Sequence, residues 1–358
     1  MSRSVGEALA PYTTLGLGGA ARELVVASTE RDLIDAVREA DATGVAVLVL
    51  GGGSNLVVAD EGFDGRVVRV ATRGVSFVRE GDRVLVEASA GEVWDELVAR
   101  AVTSDLAGVE CLSGIPGLVG ATPIQNVGAY GQEVADTIAA VRVYDRVERA
   151  VVTLDPAACG FAYRDSVFKS GAPGRHVVLG VTFALKPGGP PAVRYGELSR
   201  ALAEKADGTP TLVTVRETVI ALRRSKGMVL DPGDSESRSA GSFFMNPIVE
   251  GALADAVEAR ARARGALREG ESMPRFSAGE GKVKLAAGWL IERAGVAKGT
   301  RRGPVAVSRK HALALVHHGG GTTRELLALA REVRDAVRDA FGVEIAPEPV
   351  LVGCGFPG

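Results

Sequence analysis

The stretch SGIPGLVGATPIQNVGAYG, residues 113–131, is the most informative part of the chain. It combines repeated glycines and two prolines with little charge, which is typical of neither a regular helix nor a strand. Glycine lets a backbone approach a flat ligand closely, and Gln125 and Asn126 add donors and acceptors that suit the edge of a heteroaromatic ring. The alternative interpretation is a purely structural glycine-rich turn.

A second glycine segment, GGGSN at residues 51–55, lies between two apolar runs. The backbone N–H groups of consecutive small residues can point at one anion, and Ser54 and Asn55 add side-chain donors. A plain hairpin turn is the alternative. The segment lacks the GKS or GKT of a Walker loop, and no helix pattern follows it as in the dinucleotide-binding GxGxxG turn. Two glycine segments in one chain favour a large phosphate-bearing cofactor with a ring system, such as FAD.

The composition is that of an ordinary globular protein of two or three domains, with 358 residues, 46% hydrophobic and 24% charged. A formal net charge of −2 argues against nucleic acid as the main partner. We find no apolar run of membrane-span length and no signal-peptide pattern. The three cysteines lack paired spacing, and no acidic or cysteine residue lies at metal-ligand spacing from the histidines at 311, 317 and 318. We therefore expect a cytoplasmic protein that binds no metal.

Periodicity and composition predict an α+β protein. Helices are predicted over STERDLIDAVREADATG, EVWDELVARAVTSDL, TLVTVRETVIALRRSKG, GALADAVEARARARG, KLAAGWLIERAG and TTRELLALAREVRDAVRDAFG. Strands are predicted over VAVLVL, LVVAD, RVVRVA, DRVLVEASA, IAAVRVYD, RAVVTLD and HVVLGVTFAL, with a short strand-like piece in AGSFFMNPIV. PAVRYGEL and KPGGPP are expected to link the second and third units of the chain.

Further segments carry polar groups whose ordinary interpretation is structural. Arg164 in YRDSVFK would be a solvated surface residue, Ser242 in AGSFFMNP a buried serine bonded to backbone, and Glu348 in PEPVLVG a turn residue. AGSFFMNP is unusual because a hydroxyl, two aromatic rings and an amide occur together without a charge, as in a shielded pocket. Glu348 lies between two prolines, so its backbone is stiff.

Taken together and in this order, these segments, with TTLGLGG at 13–19 and GWLIERAGVAKG, resemble the UDP-N-acetylenolpyruvoylglucosamine reductase (UDP-N-acetylmuramate dehydrogenase) family. The resemblance covers nearly the whole chain, and VRYGEL is similar to the subtype with an extra tyrosine-bearing loop. It implies an FAD-binding fold of the vanillyl-alcohol-oxidase type, with two α+β FAD-binding domains at residues 1–70 and 71–212. It also implies an α+β substrate-binding domain at 213–358, whose C-terminal segment returns to the active site.

The resemblance also implies a reaction. NADPH reduces non-covalently bound FAD, and hydride then passes from flavin N5 to C3 of the enolpyruvyl group of UDP-N-acetylglucosamine enolpyruvate, giving UDP-N-acetylmuramate for peptidoglycan synthesis. Arg164 matches the family's arginine, which can polarise the substrate carboxylate with parallel hydrogen bonds. Glu348 matches a glutamate that could donate to the same oxygens if an apolar site keeps it protonated. Ser242 matches the proton donor to C2. We expect a monomer.

The remaining expected site residues also follow from the resemblance. The FAD-binding residues are expected to be Gly51, Gly52, Gly53, Ser54, Asn55, Leu56, Ser113, Gly114, Ile115, Pro116, Gly117, Gly120, Ala121, Gln125, Asn126, Gly128, Ala129 and Tyr130. The substrate-binding residues are expected to be Tyr195, Lys226, Asn246 and Arg293. Three positions depart from the family pattern: Arg293 replaces a common glutamine, Val350 stands where an arginine is common, and His317 replaces an asparagine.

Two other functions stay open. An FAD-dependent oxidase or dehydrogenase of the same fold, acting on an alcohol or sugar, would need a base near flavin N5 and often carries a histidine or cysteine linked to the flavin. No histidine lies in either glycine segment. A non-enzymatic FAD- or nucleotide-binding protein is the other alternative, and the presence of Arg164, Ser242 and Glu348 disfavours it.

Overall fold

The structure, a computed structural model, describes residues 1–204 and 208–356, so 205–207 and 357–358, inside the predicted second and third domains, lie outside the described residues. The helices in these ranges are α1 (Glu30–Ala42), α2 (Trp94–Thr103), α3 (Pro156–Cys159), α4 (Gly196–Ala203), α5 (Leu212–Ser225), α6 (Gly251–Ala263), α7 (Ala287–Arg293) and α8 (Thr323–Phe341). The strands are β1 (Ser2–Val5), β2 (Ala21–Ala27), β3 (Val47–Leu50), β4 (Leu56–Val58), β5 (Phe63–Val70), β6 (Val75–Glu80), β7 (Arg83–Ser89), β8 (Leu106–Ala107), β9 (Gly128–Ala129), β10 (Gln132–Glu133), β11 (Ile138–Asp145), β12 (Ala150–Leu154), β13 (His176–Pro187), β14 (Ile248–Glu250), β15 (Arg275–Ser277), β16 (Lys282–Leu285), β17 (Arg301–Arg302), β18 (Val305–Val307), β19 (Leu315–His317) and β20 (Val350–Val352).

The described chain divides into two compact units, each assembled from separated stretches of sequence. The first unit takes Met1–Glu7, Ala21–Gly52 and the described part of Asp64–Val229. The second takes Ala8–Ala20, Gly53–Phe63 and the described residues from Leu230 onward. The division into three domains with boundaries at residues 70 and 212 stays a prediction.

The first unit is built on two large sheets, and β9 and β10 form a third, two-stranded one. One has the order β1-β2-β5-β3, in which β3 and β5 are parallel, and the other has the order β12-β11-β13-β7-β6, with β8 paired to β13. From Leu179 onward every second residue of β13 is buried in the core, as the two-residue period of a strand requires. The core residues of β13 are Val177, Val178, Leu179, Val181, Phe183 and Leu185. Helix α2 covers this face, and its buried Trp94 ring lies 5.5 Å from the ring of Phe183.

Helix α1 shows how the local sequence fixes an element of this unit. Thr29 is the N-cap: its hydroxyl accepts from the N–H of Asp32, and the Asp32 carboxylate accepts from the N–H of Thr29. The helix ends before Gly44, whose φ of 67° is in the left-handed region that glycine favours. The helix predicted over STERDLIDAVREADATG is therefore confirmed, and it covers Glu30–Ala42.

The second unit combines short sheets with helices. Its sheets have the orders β14-β16-β15 and β17-β18-β19, and β20 pairs in parallel with β4. Helix α8 begins at a capping box formed by Thr322 and Glu325 and ends at Gly342, with φ 68°. Its buried face joins a core shared with β18 and β19. Core side chains include Val305, Leu315, Leu326, Val333 and Phe341.

Two sequence predictions need correction. The helix predicted over KLAAGWLIERAG is wrong at its beginning, because Lys284 and Leu285 belong to β16 and the helix covers only Ala287–Arg293. Pairing of β16 with both β14 and β15 satisfies that backbone through residues distant in sequence, and this overrides local helix propensity. In addition, the expected link at PAVRYGEL runs into helix α4, whose Leu198 and Leu202 pack beside Val215 and Val219 of α5.

Candidate active site

Arg164 lies in a tight turn of the first unit. Ala162 and Asp165 pair across this turn, with N···O distances of 3.0 and 3.2 Å. Arg164 itself has φ 55°, a left-handed conformation that is uncommon for a residue other than glycine. Lys169, in a π-helical turn at Val167–Gly171, donates from Nζ to the Arg164 carbonyl at 2.8 Å. A strained backbone held by its surroundings is typical of functional positions.

The Arg164 guanidinium contacts the long glycine segment. Its Nη1 donates to the Asn126 carbonyl at 3.3 Å, and its Nη2 donates to the Gly128 carbonyl at 2.6 Å. The guanidinium carbon also lies 5.3 Å from the centre of the Tyr163 ring. The structure therefore brings the predicted catalytic arginine together with part of the predicted FAD-binding segment.

The glycines of the two predicted FAD-binding segments meet in the first unit. A Cβ atom on Gly52 would lie 2.9 Å from the Cα of Gly117, and one on Gly51 would lie 3.9 Å from Leu118 and Ala121. Close approach of the two backbones thus requires glycine at position 52. At position 120 close packing requires glycine, because a Cβ atom on Gly120 would lie 2.5 Å from the Cβ of Ala90.

The other residues of GGGSN, at positions 53–55, belong to the second unit. They form hydrogen bonds with one stretch early in the chain and with one near its C-terminal end. Gly53 has φ 62° and its carbonyl accepts from the N–H of Thr14 at 3.2 Å. The Asn55 carbonyl accepts from Val350 N–H at 2.9 Å, and Asn55 Nδ2 donates to the Glu348 carbonyl at 3.4 Å. This segment therefore lies beside the predicted catalytic glutamate.

Backbone pairing brings Ser242 and Glu348 together within the second unit. The N–H of Glu348 donates to the carbonyl of Phe243 at 2.8 Å, and Met245 N–H donates to the Ala346 carbonyl at 3.0 Å. Phe243 and Phe244 are about 1% exposed, and their ring centres lie 5.1 Å apart, whereas Ser242 and Glu348 are half-buried. The aromatic pair fixes the segment in the core and leaves both predicted catalytic side chains at its edge.

Two predicted substrate-binding residues, Tyr195 and Lys226, meet in the first unit around Tyr130. The rings of Tyr130 and Tyr195 contact edge to face at 5.6 Å, and Lys226 Nζ lies 5.8 Å from the centre of the Tyr130 ring. Lys226 also forms an ion pair of 2.6 Å with Glu197. Burial raises the pKa of Tyr130 to about 12, so this phenol stays neutral at physiological pH.

Asn246 and Arg293 lie at opposite ends of α7 and are not brought together. Asn246 Oδ1 accepts from the N–H of Ala287 at 2.9 Å, which satisfies a donor at the start of the helix. Arg293 is the last residue of α7, and its guanidinium carbon lies 5.8 Å from the Trp289 ring centre. The substrate-binding roles of both residues stay predictions, and the structure adds a helix-capping role for Asn246.

Arg223 is a residue that the sequence analysis missed. Its Nε is buried and has no hydrogen-bond partner among the described residues, while Nη2 donates to the Met228 carbonyl at 2.8 Å. Burial lowers its pKa to about 10, so the side chain still carries its charge at neutral pH. A Cβ on Gly114 would lie 3.6 Å from this Nε. A buried cation beside a glycine of the predicted FAD segment fits a diphosphate-bearing cofactor.

A sequence signal for Arg223 existed. Val215 and Val219 are buried on α5, and Arg223 follows at the same four-residue spacing. The helical period predicts an apolar residue at this position. An arginine found there instead is a candidate for binding a specific partner.

His317 is held by hydrogen bonds within the second unit. His317 Nδ1 lies 2.9 Å from the Leu15 carbonyl, and its Nε2 accepts from Gly321 N–H at 2.9 Å. Within residues 1–204 and 208–356, no group of three or more histidine, cysteine or acidic side chains is arranged to hold a metal ion. In the same part of the chain, none of the helices has the length and apolar character needed to cross a membrane.

The fold and these segments define a flavoprotein. A family model described as an FAD binding domain matches residues 21–153, and one described as the C-terminal domain of UDP-N-acetylenolpyruvoylglucosamine reductase matches residues 231–352. The expected FAD-binding fold class, with a C-terminal α+β domain, is confirmed.

Whole-chain comparisons identify the family. The UDP-N-acetylenolpyruvoylglucosamine reductase of Saccharopolyspora erythraea is 54% identical over 98% of this chain and 96% of its own. That of Streptomyces coelicolor is 52% identical over 96% of this chain and 89% of its own. The crystal structure of the Thermus caldophilus reductase superposes with a TM-score of 0.65 at 26% identity and covers 98% of both chains. The chain belongs to the UDP-N-acetylenolpyruvoylglucosamine reductase family, as its sequence motifs predict.

Proposed function

We propose that the protein uses FAD and NADPH to reduce the enolpyruvyl group of UDP-N-acetylglucosamine enolpyruvate to UDP-N-acetylmuramate, a step of peptidoglycan precursor synthesis. Family membership supports this proposal, since the relatives carry the name of that reductase. The observation that carries it is the pairing of the segments next to the predicted proton donor and the predicted acid, Glu348 N–H to Phe243 carbonyl at 2.8 Å.

The residues that would hold FAD lie in the two glycine segments. Gly52 and Gly117 approach backbone to backbone, and the charge of buried Arg223 lies beside Gly114. When bound, FAD supplies the hydride that reduces the double bond after taking it from NADPH. Both segments are free of histidine, so we expect non-covalent FAD that acid precipitation releases as yellow colour.

The chain's own residues activate the substrate. An enol ether accepts a hydride poorly unless negative charge developing on its carboxylate is stabilised. Arg164 supplies a guanidinium, whose parallel N–H groups match the two oxygens of a carboxylate. Its left-handed turn and its bonds to the Asn126 and Gly128 carbonyls hold it before substrate arrives, which favours catalysis because little reorganisation remains. Protonated Glu348 would donate to the same carboxylate.

Ser242 would then deliver the proton to C2. A serine hydroxyl is a weak acid, so it serves only a strongly basic carbon in a fixed geometry. The buried Phe243–Phe244 pair and the backbone bonds to Ala346 and Glu348 provide a rigid support for that hydroxyl. Tyr195 and Lys226 are proposed to bind the nucleotide sugar, with Lys226 as a point charge for a phosphate.

Stopped-flow absorbance under anaerobic conditions tests the proposal. NADPH should bleach the flavin band, and subsequent addition of the enolpyruvyl nucleotide sugar should restore it. Bleaching without restoration by this substrate would contradict the proposed reaction, and absence of bleaching would indicate a protein that only binds FAD.

A further inference from the structure

Asn126 was expected to offer its amide to the cofactor, but the amide faces protein. The residue is 2% exposed, and its Nδ2 donates to Glu133 Oε2 at 2.7 Å and to the Ala162 carbonyl at 3.1 Å. Its Oδ1 accepts from Ala135 N–H at 3.2 Å. These partners also fix the amide orientation, because a flipped amide would place its oxygen against two acceptors.

Ala162, one of these partners, is the first residue of the turn that carries Arg164. Ala162 forms the hydrogen-bonded pair with Asp165 that closes the turn, and Arg164 between them has φ 55°. A left-handed arginine costs backbone energy and persists only where its surroundings hold it. The bond from Asn126 Nδ2 to the Ala162 carbonyl is such a restraint.

The restraint is reciprocal. The Asn126 side chain holds the first residue of the turn, while the Asn126 carbonyl accepts from Arg164 Nη1 at 3.3 Å. Asn126 itself has φ 45°, which asparagine tolerates better than most residues. Glu133 completes the arrangement, because its carboxylate fixes the other N–H of the amide through a charge-assisted bond.

We propose that Asn126 is a positioning residue for Arg164, which it holds in the left-handed turn through Ala162. The inference rests on the role of Arg164 in the proposed function. The amide acts in the step that needs a polarised substrate carboxylate, and it is not a ligand of the cofactor.

The test is Asn126→Gly, because glycine keeps the left-handed backbone and removes only the amide. Flavin reoxidation by the enolpyruvyl nucleotide sugar should slow about tenfold or more, the effect expected from losing hydrogen bonds to a strained turn. The FAD dissociation constant, measured by flavin fluorescence, and bleaching by NADPH should stay within about twofold of the parent protein. Arg149→Gly is the matched control, since Arg149 is exposed and has φ 53° in the turn between β11 and β12; it should change none of these quantities.

Two results for Asn126→Gly would overturn the proposal. Reoxidation at the parent rate in Asn126→Gly overturns it, and so does weakened FAD binding with both half-reactions slowed equally. Arg164→Met separates this inference from the proposed function: normal reoxidation in that variant removes the role of Arg164 itself. Slow reoxidation in Arg164→Met combined with normal reoxidation in Asn126→Gly removes only the positioning role of Asn126.

Asn126→Asp is a second variant that controls for a folding defect in Asn126→Gly, because it keeps the volume of the side chain. It replaces the donor to Ala162 by an oxygen and places a carboxylate against Glu133, with Asp136 and Arg164 as the other charged groups nearby. Reoxidation should be slowed selectively, because an oxygen at this position cannot donate to the Ala162 carbonyl. Equal slowing of both half-reactions, or reoxidation at the parent rate, would count against the proposal.

Discussion

The turn that carries Arg164 and the segment that carries Ser242 are held in different ways. Around Arg164, side chains make the decisive bonds: Asn126 to Ala162, Ser166 Oγ to the Ile124 carbonyl at 2.5 Å, and the guanidinium to two carbonyls. Around Ser242, backbone groups pair with one another, as in the bonds from Glu348 to Phe243 and from Met245 to Ala346.

This difference determines which substitutions each region tolerates. A turn fastened by side chains changes its geometry when one of them is replaced. A segment fastened by backbone pairing over a buried aromatic pair keeps its geometry when the side chain at its edge is replaced. Ser242 and Glu348 can therefore be varied to measure chemistry, whereas substitutions near Arg164 measure chemistry and positioning together.

The largest expected effect is that of Ser242→Ala. The backbone pairing at Phe243 does not involve the hydroxyl, so the fold and NADPH-driven bleaching should be nearly unchanged. Flavin reoxidation by substrate should slow by about 100-fold or more, the usual contribution of a positioned proton donor. Both half-reactions can be measured in one stopped-flow experiment. Normal reoxidation would exclude Ser242 as the proton donor.

Glu348 should show a smaller effect that depends on the replacement. If its protonated form donates to the substrate carboxylate, Glu348→Gln keeps an N–H donor and should slow reoxidation less than about tenfold. Glu348→Ala lacks the donor and should be slower by about a further tenfold. The parent backbone bond to Phe243 is available to both variants. Equal loss in the two variants would indicate that the ionised carboxylate is needed instead.

The smallest effects test the comparison directly. Ser166→Ala removes two hydrogen bonds near Arg164, from Ser166 Oγ to the Ile124 carbonyl and from Phe168 N–H to Ser166 Oγ. Thr14→Ala removes one in the second unit, from Thr14 Oγ1 to the Ser239 carbonyl at 2.6 Å. Each bond contributes about 1 kcal/mol. Reoxidation should slow several-fold in Ser166→Ala and stay within about twofold of the parent in Thr14→Ala, because backbone pairing of Ser239 with Val316 remains. Comparable rates in the two variants would remove the distinction between the regions.

Regular elements with strong local signals were predicted correctly. Helices α1 and α8 form within the segments predicted to be helical, STERDLIDAVREADATG and TTRELLALAREVRDAVRDAFG. Their N-caps are Thr29 and Thr322, and they end before Gly44 and at Gly342. Strand β13 follows the alternation of HVVLGVTFAL. In each case local propensity, capping and burial pattern agree, so short-range information is enough.

The sequence predictions fail where residues distant in the sequence determine the local structure. Lys284 and Leu285 form a strand because β14 and β15 flank them, although the local sequence reads as a helix. Arg223 has a local signal, its place in the apolar period of α5, but that signal does not reveal the buried Nε. The FAD-binding role of Asn126 stays a prediction, and no local pattern indicates the bonds of its amide to Glu133 and Ala162.

The sequence alone determined the family, the α+β class and the segments that carry the chemistry, because these depend on residue identity and order along the chain. Only the tertiary structure decided which backbone groups face which side chains. It showed that Glu348 pairs beside Ser242, that Gly52 adjoins Gly117, and that the Asn126 amide turns toward the Arg164 turn. The physical reason is that hydrogen-bond partners distant in the sequence are set by packing, and no local pattern encodes them.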